Sequence, residues 1–127
     1  MIKIFKIKEH ERGLKFVNGK FKNVLQPGNH KVLAFSKVHI DVVSIRDVKL
    51  KHENLEYIAK ALVRPKDLLI VKIKEGEQGL LVINGLELKF LAPGLHAYWR
   101  IFEDVEIVTY KVGKLFAHPE IDRMYRN

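Results

Sequence analysis

The chain of 127 residues is 47% hydrophobic and 30% charged, with a formal net charge of +8 and no cysteine. This composition excludes intrinsic disorder as the default, and the missing thiols exclude disulfides, iron–sulfur sites and the commonest structural zinc ligand. No stretch approaches the ~18 to 20 apolar residues of a membrane span, and the first residues lack the apolar core of a signal peptide. We therefore expect a soluble, cytoplasmic protein that reaches a membrane only peripherally, at its inner face.

Two stretches of the chain repeat each other at a spacing of 66 residues. Residues 11–30 read ERGLKFVNGKFKNVLQPGNH, and residues 77–96 read EQGLLVINGLELKFLAPGLH. Because the identities fall mostly on turn residues, we predict the same backbone shape twice. The expected parts are a first β repeat at 1–47, a helical connector at 48–66, a second β repeat at 67–113 and a tail at 114–127.

Each repeat opens with an apolar and basic strand, IKIFKIK at residues 2–8 and LLIVKIK at residues 68–74. A β-hairpin follows, because Asn-Gly between apolar runs accepts the positive φ angles of a type I′ turn. A second reversal is expected where Pro presets one turn dihedral and Gly supplies the other. The predicted structural turn residues are Asn18, Gly19, Pro27, Gly28, Asn84, Gly85, Pro93 and Gly94.

The segments KVHIDVVSI and DVEIVTYKV close the two repeats, and their β-branched residues predict strands. Between the repeats, Leu55, Ile58, Ala59 and Leu62 follow the spacing of one helical face, which predicts a helix over residues 53–62. The tail HPEIDRMYRN is similar to the start of an equivalent helix. The fold class expected is mainly β (α+β), with two tandem antiparallel repeats, one short helix between them and a helical C-terminal tail.

The positive charge belongs to the first repeat. Residues 1–66 carry fifteen Lys and Arg against six Asp and Glu, a charge of +9, whereas residues 67–127 carry eight against nine, a charge of −1. Such asymmetry is typical of a surface that meets phosphate, either lipid headgroups or nucleic acid, and a merely solubilising lysine surface is the equally weighted alternative.

The hairpin register predicts which side chains share a face. A two-residue loop would pair Lys15 with Lys22 and place Lys20 on the same face, with Phe16 and Phe21 on the opposite face. The candidate contacts with an anionic surface are Lys6, Lys8, Lys15, Lys20 and Lys22. The matching face of the second repeat is apolar, and we expect the first repeat, the helix or another subunit to cover it. These candidate inter-repeat or oligomer packing residues are Leu81, Ile83, Leu86 and Leu88.

Residues that could support catalysis or bind metal are sparse. Ser36 and His39 lie near Asp41 on one predicted strand, where Ser36 points to the opposite side, so they do not converge as a triad. His30 and His96 lack further ligands at metal spacing and are expected to be turn residues. We expect solvated ion pairs for the turn glutamates, Glu9, Glu11, Glu75 and Glu77, with Lys8, Lys74 and Arg12. No catalytic residue, metal, cofactor or small-molecule substrate is predicted.

Nucleic-acid binding is a weaker prediction. The segments KIFKIK and KFKN interleave lysine with phenylalanine, as a platform for stacking bases would. The register directs the Phe pair away from Lys15 and Lys22, however, and arginine, which suits base reading, numbers three against twelve lysines in residues 1–66. No nucleic-acid partner is expected.

The repeated string resembles the opening of the SPFH or band 7 domain of stomatins, slipins, prohibitins and flotillins. The resemblance covers about 40 residues twice and is slipin-like in its tandem arrangement. It rests on Glu11-Arg12-Gly13, Val17 to Lys20, Pro27 to His30 and Val43 to Asp47, with Glu77-Gln78-Gly79 and Pro93 to His96 in the second copy. It implies a non-enzymatic, membrane-associated scaffold that self-associates in the full-length protein.

Three functions follow, in order of preference. The first is a non-enzymatic scaffold of the SPFH type at an anionic membrane surface, bound through its basic first repeat. The second is a soluble protein-interaction domain with no membrane role, and the third is a nucleic-acid-binding β domain. An enzyme ranks last.

Overall fold

The computed structural model describes residues 2–33, 37–62 and 66–112. The chain divides into two compact units, Met1–Pro65 and Lys66–Asn127. The predicted helical tail at 114–127 lies outside the described residues.

The first unit contains five strands and a helix within its described residues. They are β1 (Ile2–Ile7), β2 (Glu11–Val17), β3 (Lys20–Leu25), β4 (Gly28–Leu33), β5 (Val38–Ser44) and α1 (Leu55–Ala61). Strands β1 and β4 pair as a two-stranded ribbon, and the other three form a sheet in the order β3-β2-β5, with every pairing antiparallel.

The described part of the second unit repeats this arrangement. Its strands are β6 (Leu68–Ile73), β7 (Glu77–Ile83), β8 (Leu86–Leu91), β9 (Gly94–Trp99) and β10 (Val105–Lys111). Strands β6 and β9 form the ribbon, and the sheet order is β10-β7-β8. The predicted fold class, mainly β with two similar antiparallel repeats and a short helix between their strands, is confirmed.

The hairpin turns have the predicted backbone. Asn18 and Asn84 both have φ of 52°, and the glycines that follow them have φ of 80° and 79°. Positive φ at both central residues is the type I′ requirement, and it explains why Asn-Gly stands at both places. Gly28 and Gly94 share a φ of 136°, again in a region that favours glycine.

The predicted pairing of Lys15 with Lys22 is wrong. Phe16 pairs with Phe21 as expected, but a β-bulge follows, and Lys15 pairs with Asn23 instead. Lys22 is the extra residue that the bulge leaves without a partner in the register. The second unit has the same irregularity, with Leu81 opposite Lys89.

The ribbon of the first unit packs on one side of its sheet. Ile7 of β1 and Val32 of β4 form a buried cluster with Leu25 of β3 and Ile40 of β5. Gly13 permits this close approach, because a Cβ atom there would lie 3.1 Å from side-chain carbons of both Ile40 and Ile7. The face of the ribbon that carries Ile7 and Val32 is therefore part of the core of the first unit.

Helix α1 is shorter than the predicted 53–62, because Leu62 already has extended backbone. Its apolar face is the predicted one, with Ile58 fully buried and Leu55, Ala59 and Leu62 partly buried. The helix contacts β3. Phe16 and Phe21 are also buried, and their rings meet edge to face with centroids 5.5 Å apart.

Candidate functional site

The ribbon of the first unit has an outward face that the core does not use. In the register of β1 and β4, Ile2 lies opposite Leu33, Ile4 opposite Lys31, and Lys6 opposite Asn29. Residues directly opposite each other point to the same side of an antiparallel pair, and these six positions alternate with the buried Ile7 and Val32. All six side chains are exposed.

The five predicted lysines do not share one face. Lys6 lies on the outward face of the ribbon, and Lys8 lies in the turn before β2. Lys15 pairs with Ile40, so it lies on the side of the sheet that the ribbon covers in part, and it is half-buried. Lys20 and Lys22 are exposed near the Asn-Gly turn.

The turn between β1 and β2 is held by hydrogen bonds between side chains and the backbone. The Lys8 N–H donates to the Glu11 carboxylate over 3.0 Å, and in the second unit Lys74 N–H donates to Glu77 over 3.1 Å. The buried Arg12 donates from Nη1 to the carbonyl oxygens of Glu9 and Glu11, at 3.0 and 2.6 Å. The expected ion pairs are therefore replaced, at Glu11 and Glu77, by contacts that shape the turn.

The predicted apolar face of the second unit is covered only in part. Leu81 and Ile83 are buried, whereas Leu86 and Leu88 are exposed. Phe102 is also exposed, two residues before Asp104, whose N–H donates to Asn84 of the hairpin turn over 2.9 Å. An exposed apolar group therefore lies at this end of the second unit.

A histidine and aspartate cluster lies on the helix side of the first sheet. Nε2 of His39 donates to Asp41 Oδ1 over 2.5 Å, and Nε2 of His52 donates to Asp41 Oδ2 over 2.8 Å. The Asn54 N–H donates to His52 Nδ1, which places the His52 proton on Nε2. The His52 ring stacks on Phe16, with centroids 5.6 Å apart. The cluster therefore ties the segment before α1 to the sheet.

The electrostatics of this cluster centre on Asp41. Burial raises the pKa of Asp41, but hydrogen bonds from His52 and His39 and the charges of these residues outweigh it, so the pKa is lowered overall. Ser36, the third member of the rejected triad, lies outside the described residues. His39 and Asp41 lie on the same side of β5, as predicted, and they bond to each other.

His30 and His96 occupy equivalent positions, and both stabilise the second turn of their unit. Nε2 of His30 donates to the Gln26 carbonyl over 2.7 Å, and Nε2 of His96 donates to the Ala92 carbonyl over 2.8 Å. Within the described ranges, no group of three or more His, Asp or Glu side chains is arranged to hold a metal ion.

Five residues of the outward ribbon face were not predicted from the sequence, namely Ile2, Ile4, Asn29, Lys31 and Leu33. The alternation in IKIFKIK already places Ile2, Ile4 and Lys6 on one side of a strand. The contributions of Lys31 and Leu33 depend on the pairing of β1 with β4, which no local signal specified.

Comparison of the chain with family models, curated proteins and solved structures gave no match. Among the helical residues that the structure describes, none belongs to a helix long and apolar enough to cross a membrane.

Proposed function

We propose that this chain is a non-enzymatic interaction module of the SPFH type, which acts at an anionic membrane surface through its first unit. The observation that supports this proposal most is the set of exposed, unpaired lysines in that unit. Within its described part, no lysine forms an ion pair with Asp or Glu. The exposed lysines are Lys3, Lys6, Lys8, Lys20, Lys22, Lys31, Lys37, Lys51 and Lys60.

Lysines without carboxylate partners remain available to an anionic surface. A lysine close to such a surface contributes ~1 kcal/mol, and the contribution falls off over a Debye length of about 10 Å at 0.1 M salt. Several exposed lysines that reach such a surface together would therefore give reversible binding that weakens as salt rises. The SPFH assignment within this proposal rests on the repeated motifs alone.

The geometry disfavours a nucleic-acid module. Phe16 and Phe21 are buried against each other, so their rings are not available to stack bases.

The histidine and aspartate cluster has a structural use, because His52 both stacks on Phe16 and donates to Asp41. We therefore propose no catalytic role for it.

A protein-interaction domain is the second candidate, and one observation favours it. Leu86, Leu88 and Phe102 are more than half exposed in the second unit, at 67%, 54% and 71%. Clustered exposed apolar side chains are typical of surfaces that meet another protein chain.

Co-sedimentation with vesicles tests the proposed function. The vesicles contain phosphatidylserine, and binding is measured at ~0.05 and ~0.3 M salt to span the screening range. The test variant is Lys6→Gln/Lys20→Gln/Lys22→Gln, at three exposed positions of the first unit. The control, Lys72→Gln/Lys74→Gln/Lys89→Gln, removes the same charge from exposed positions of the second unit.

We expect the wild type and the control to bind at low salt and the first-unit variant to bind several-fold more weakly. Binding of all three should weaken at high salt. A folded wild type that does not sediment with the vesicles at low salt would contradict the proposal and leave the protein-interaction domain as the better explanation. Equal losses in both variants would show that net charge, and not the first unit, determines binding.

A further inference from the structure

The outward face of the β1–β4 ribbon combines apolar and basic side chains in a graded order. The pair Ile2 and Leu33 stands at one end, Ile4 and Lys31 follow, and Lys6 with Asn29 stands at the other end. At ~3.3 Å per residue, this gradient extends over about 13 Å along the strand. None of the six positions is acidic.

The apolar side chains of this face are unusually exposed. Ile2 is 57% exposed, Ile4 is 64% exposed and Leu33 is 50% exposed. The opposite face of the same ribbon provides Ile7 and Val32 to the core, so the ribbon is firmly attached to the unit. Three neighbouring aliphatic side chains on a fixed scaffold therefore keep half or more of their surface exposed to solvent.

The chemistry of the face fits the boundary between lipid headgroups and acyl chains. Aliphatic side chains gain free energy when they leave water for that boundary, and lysine can extend its ammonium group to the phosphates while its methylene stem stays in apolar surroundings. A graded apolar-to-basic surface can use both interactions at once. Lysines alone would give binding that salt abolishes.

We infer that the outward face of the β1–β4 ribbon, formed by Ile2, Ile4, Lys6, Asn29, Lys31 and Leu33, is the surface that enters the headgroup region of an anionic bilayer. The inference rests on the proposed function and adds the contact surface and its apolar component. It replaces the hairpin lysines as the principal contact, with Lys20 and Lys22 contributing long-range attraction.

A second copy of the chain fits this face less well. Face-to-face pairing of two copies would place Lys6 and Lys31 of both copies in one interface to which these six positions contribute no acidic residue, and like charges at an interface oppose association. An anionic lipid surface, by contrast, complements both lysines and accepts the three aliphatic side chains.

The test separates the apolar side chains from the charges. The variant Ile2→Ser/Ile4→Ser/Leu33→Ser keeps every lysine, and the control Tyr57→Ser/Val108→Ser/Val112→Ser removes three exposed apolar side chains that lie outside the ribbon. Each is mixed with phosphatidylserine vesicles, and the partition coefficient is measured by co-sedimentation at ~0.05 and ~0.3 M salt. Far-UV circular dichroism checks that the variants fold, and single Ile4→Ser is used if the triple variant does not.

We expect the ribbon variant to bind about tenfold more weakly than the wild type at low salt, and to lose the residual binding that the wild type keeps at high salt. The control should bind like the wild type. If the wild type binds and the ribbon variant binds equally well, this inference is overturned while the proposed function stands. If the wild type does not bind at all, the proposed function fails and the inference fails with it.

Discussion

The two ribbons of the molecule have the same register but different burial. Ile2 and Leu33 are paired in the first unit, and the equivalent residues Leu68 and Trp99 are paired in the second. Ile2 and Leu33 are 57% and 50% exposed, whereas Leu68 and Trp99 are 1% and 2% exposed. One backbone arrangement therefore presents an exposed face in one unit and a buried face in the other.

The substitutions between the repeats agree with this difference. Lys31 of the first ribbon corresponds to Ala97 of the second, which is fully buried, and Asn29 corresponds to Leu95, which is partly buried. A lysine with its charge unpaired could not occupy a position as buried as that of Ala97. The two repeats therefore share their turns and register, while the same face of the ribbon is part of the core in one unit and exposed in the other.

The largest effect expected from this comparison is on stability. Leu68→Ala removes a fully buried side chain and should lower the free energy of unfolding by about 2–5 kcal/mol. Ile2→Ala, at the equivalent exposed position, should change it by no more than about 0.5 kcal/mol. Denaturant unfolding, monitored by far-UV circular dichroism, measures the change in stability of both variants.

Trp99 provides an internal reporter for this pair of variants. It is the single tryptophan of the chain and it pairs with Leu68. Its fluorescence should therefore detect the unfolding of the second unit directly. Equal destabilisation by Leu68→Ala and Ile2→Ala would contradict the difference in burial between the two ribbons.

The hairpin turns provide the next comparison, and here the two units should behave alike. Gly19 and Gly85 have φ of 80° and 79°, so Gly19→Ala and Gly85→Ala each force an L side chain into the left-handed region. Each should cost about 1–2 kcal/mol, because nothing lies within 4 Å of a Cβ atom at either position and the cost is purely conformational. Denaturant unfolding of the two variants measures the loss in free energy of unfolding at each turn. If the two losses differ by more than about 1 kcal/mol, the turns are not equivalent.

A smaller effect is expected at Asp41, which has no acidic equivalent in β10. The folded state lowers the pKa of Asp41, so its carboxylate stabilises the fold above the unfolded pKa of about 3.9, and this stabilisation is lost as pH falls through the folded pKa. Asp41→Asn should therefore destabilise the protein by less than about 1 kcal/mol at neutral pH.

The pH dependence distinguishes this explanation from a loss of packing. Unfolding of the wild type and of Asp41→Asn is followed between pH 7 and pH 3. The difference between their stabilities should shrink as pH falls below the unfolded pKa of about 3.9 and towards the lowered pKa that Asp41 has in the folded state. A difference that stays constant over this range would mean that the Asp41 charge does not contribute.

Local chemistry allowed much of this fold to be predicted. Asn18-Gly19 and Asn84-Gly85 specify type I′ turns through backbone preference alone, and Ile58 marks the buried face of α1 through its spacing. The bulge that displaces Lys22 carries no such signal, because it depends on how two strands meet. The candidate surface was only partly predictable for the same reason. Ile4 is visible in the alternation of β1, but its neighbour Lys31 is known only from the pairing with β4.

The most direct test of the central claim compares one exposed apolar position from each unit. The chain has no cysteine, so Ile4→Cys and Leu86→Cys can each be labelled uniquely with a polarity-sensitive fluorophore. The two side chains are similarly exposed, at 64% and 67%. With phosphatidylserine vesicles at low salt, the emission of the label at position 4 should shift to shorter wavelength and that at position 86 should not. A shift only at position 86, or at neither position while the protein sediments with the vesicles, would contradict the claim that the outward face of the first ribbon contacts lipid.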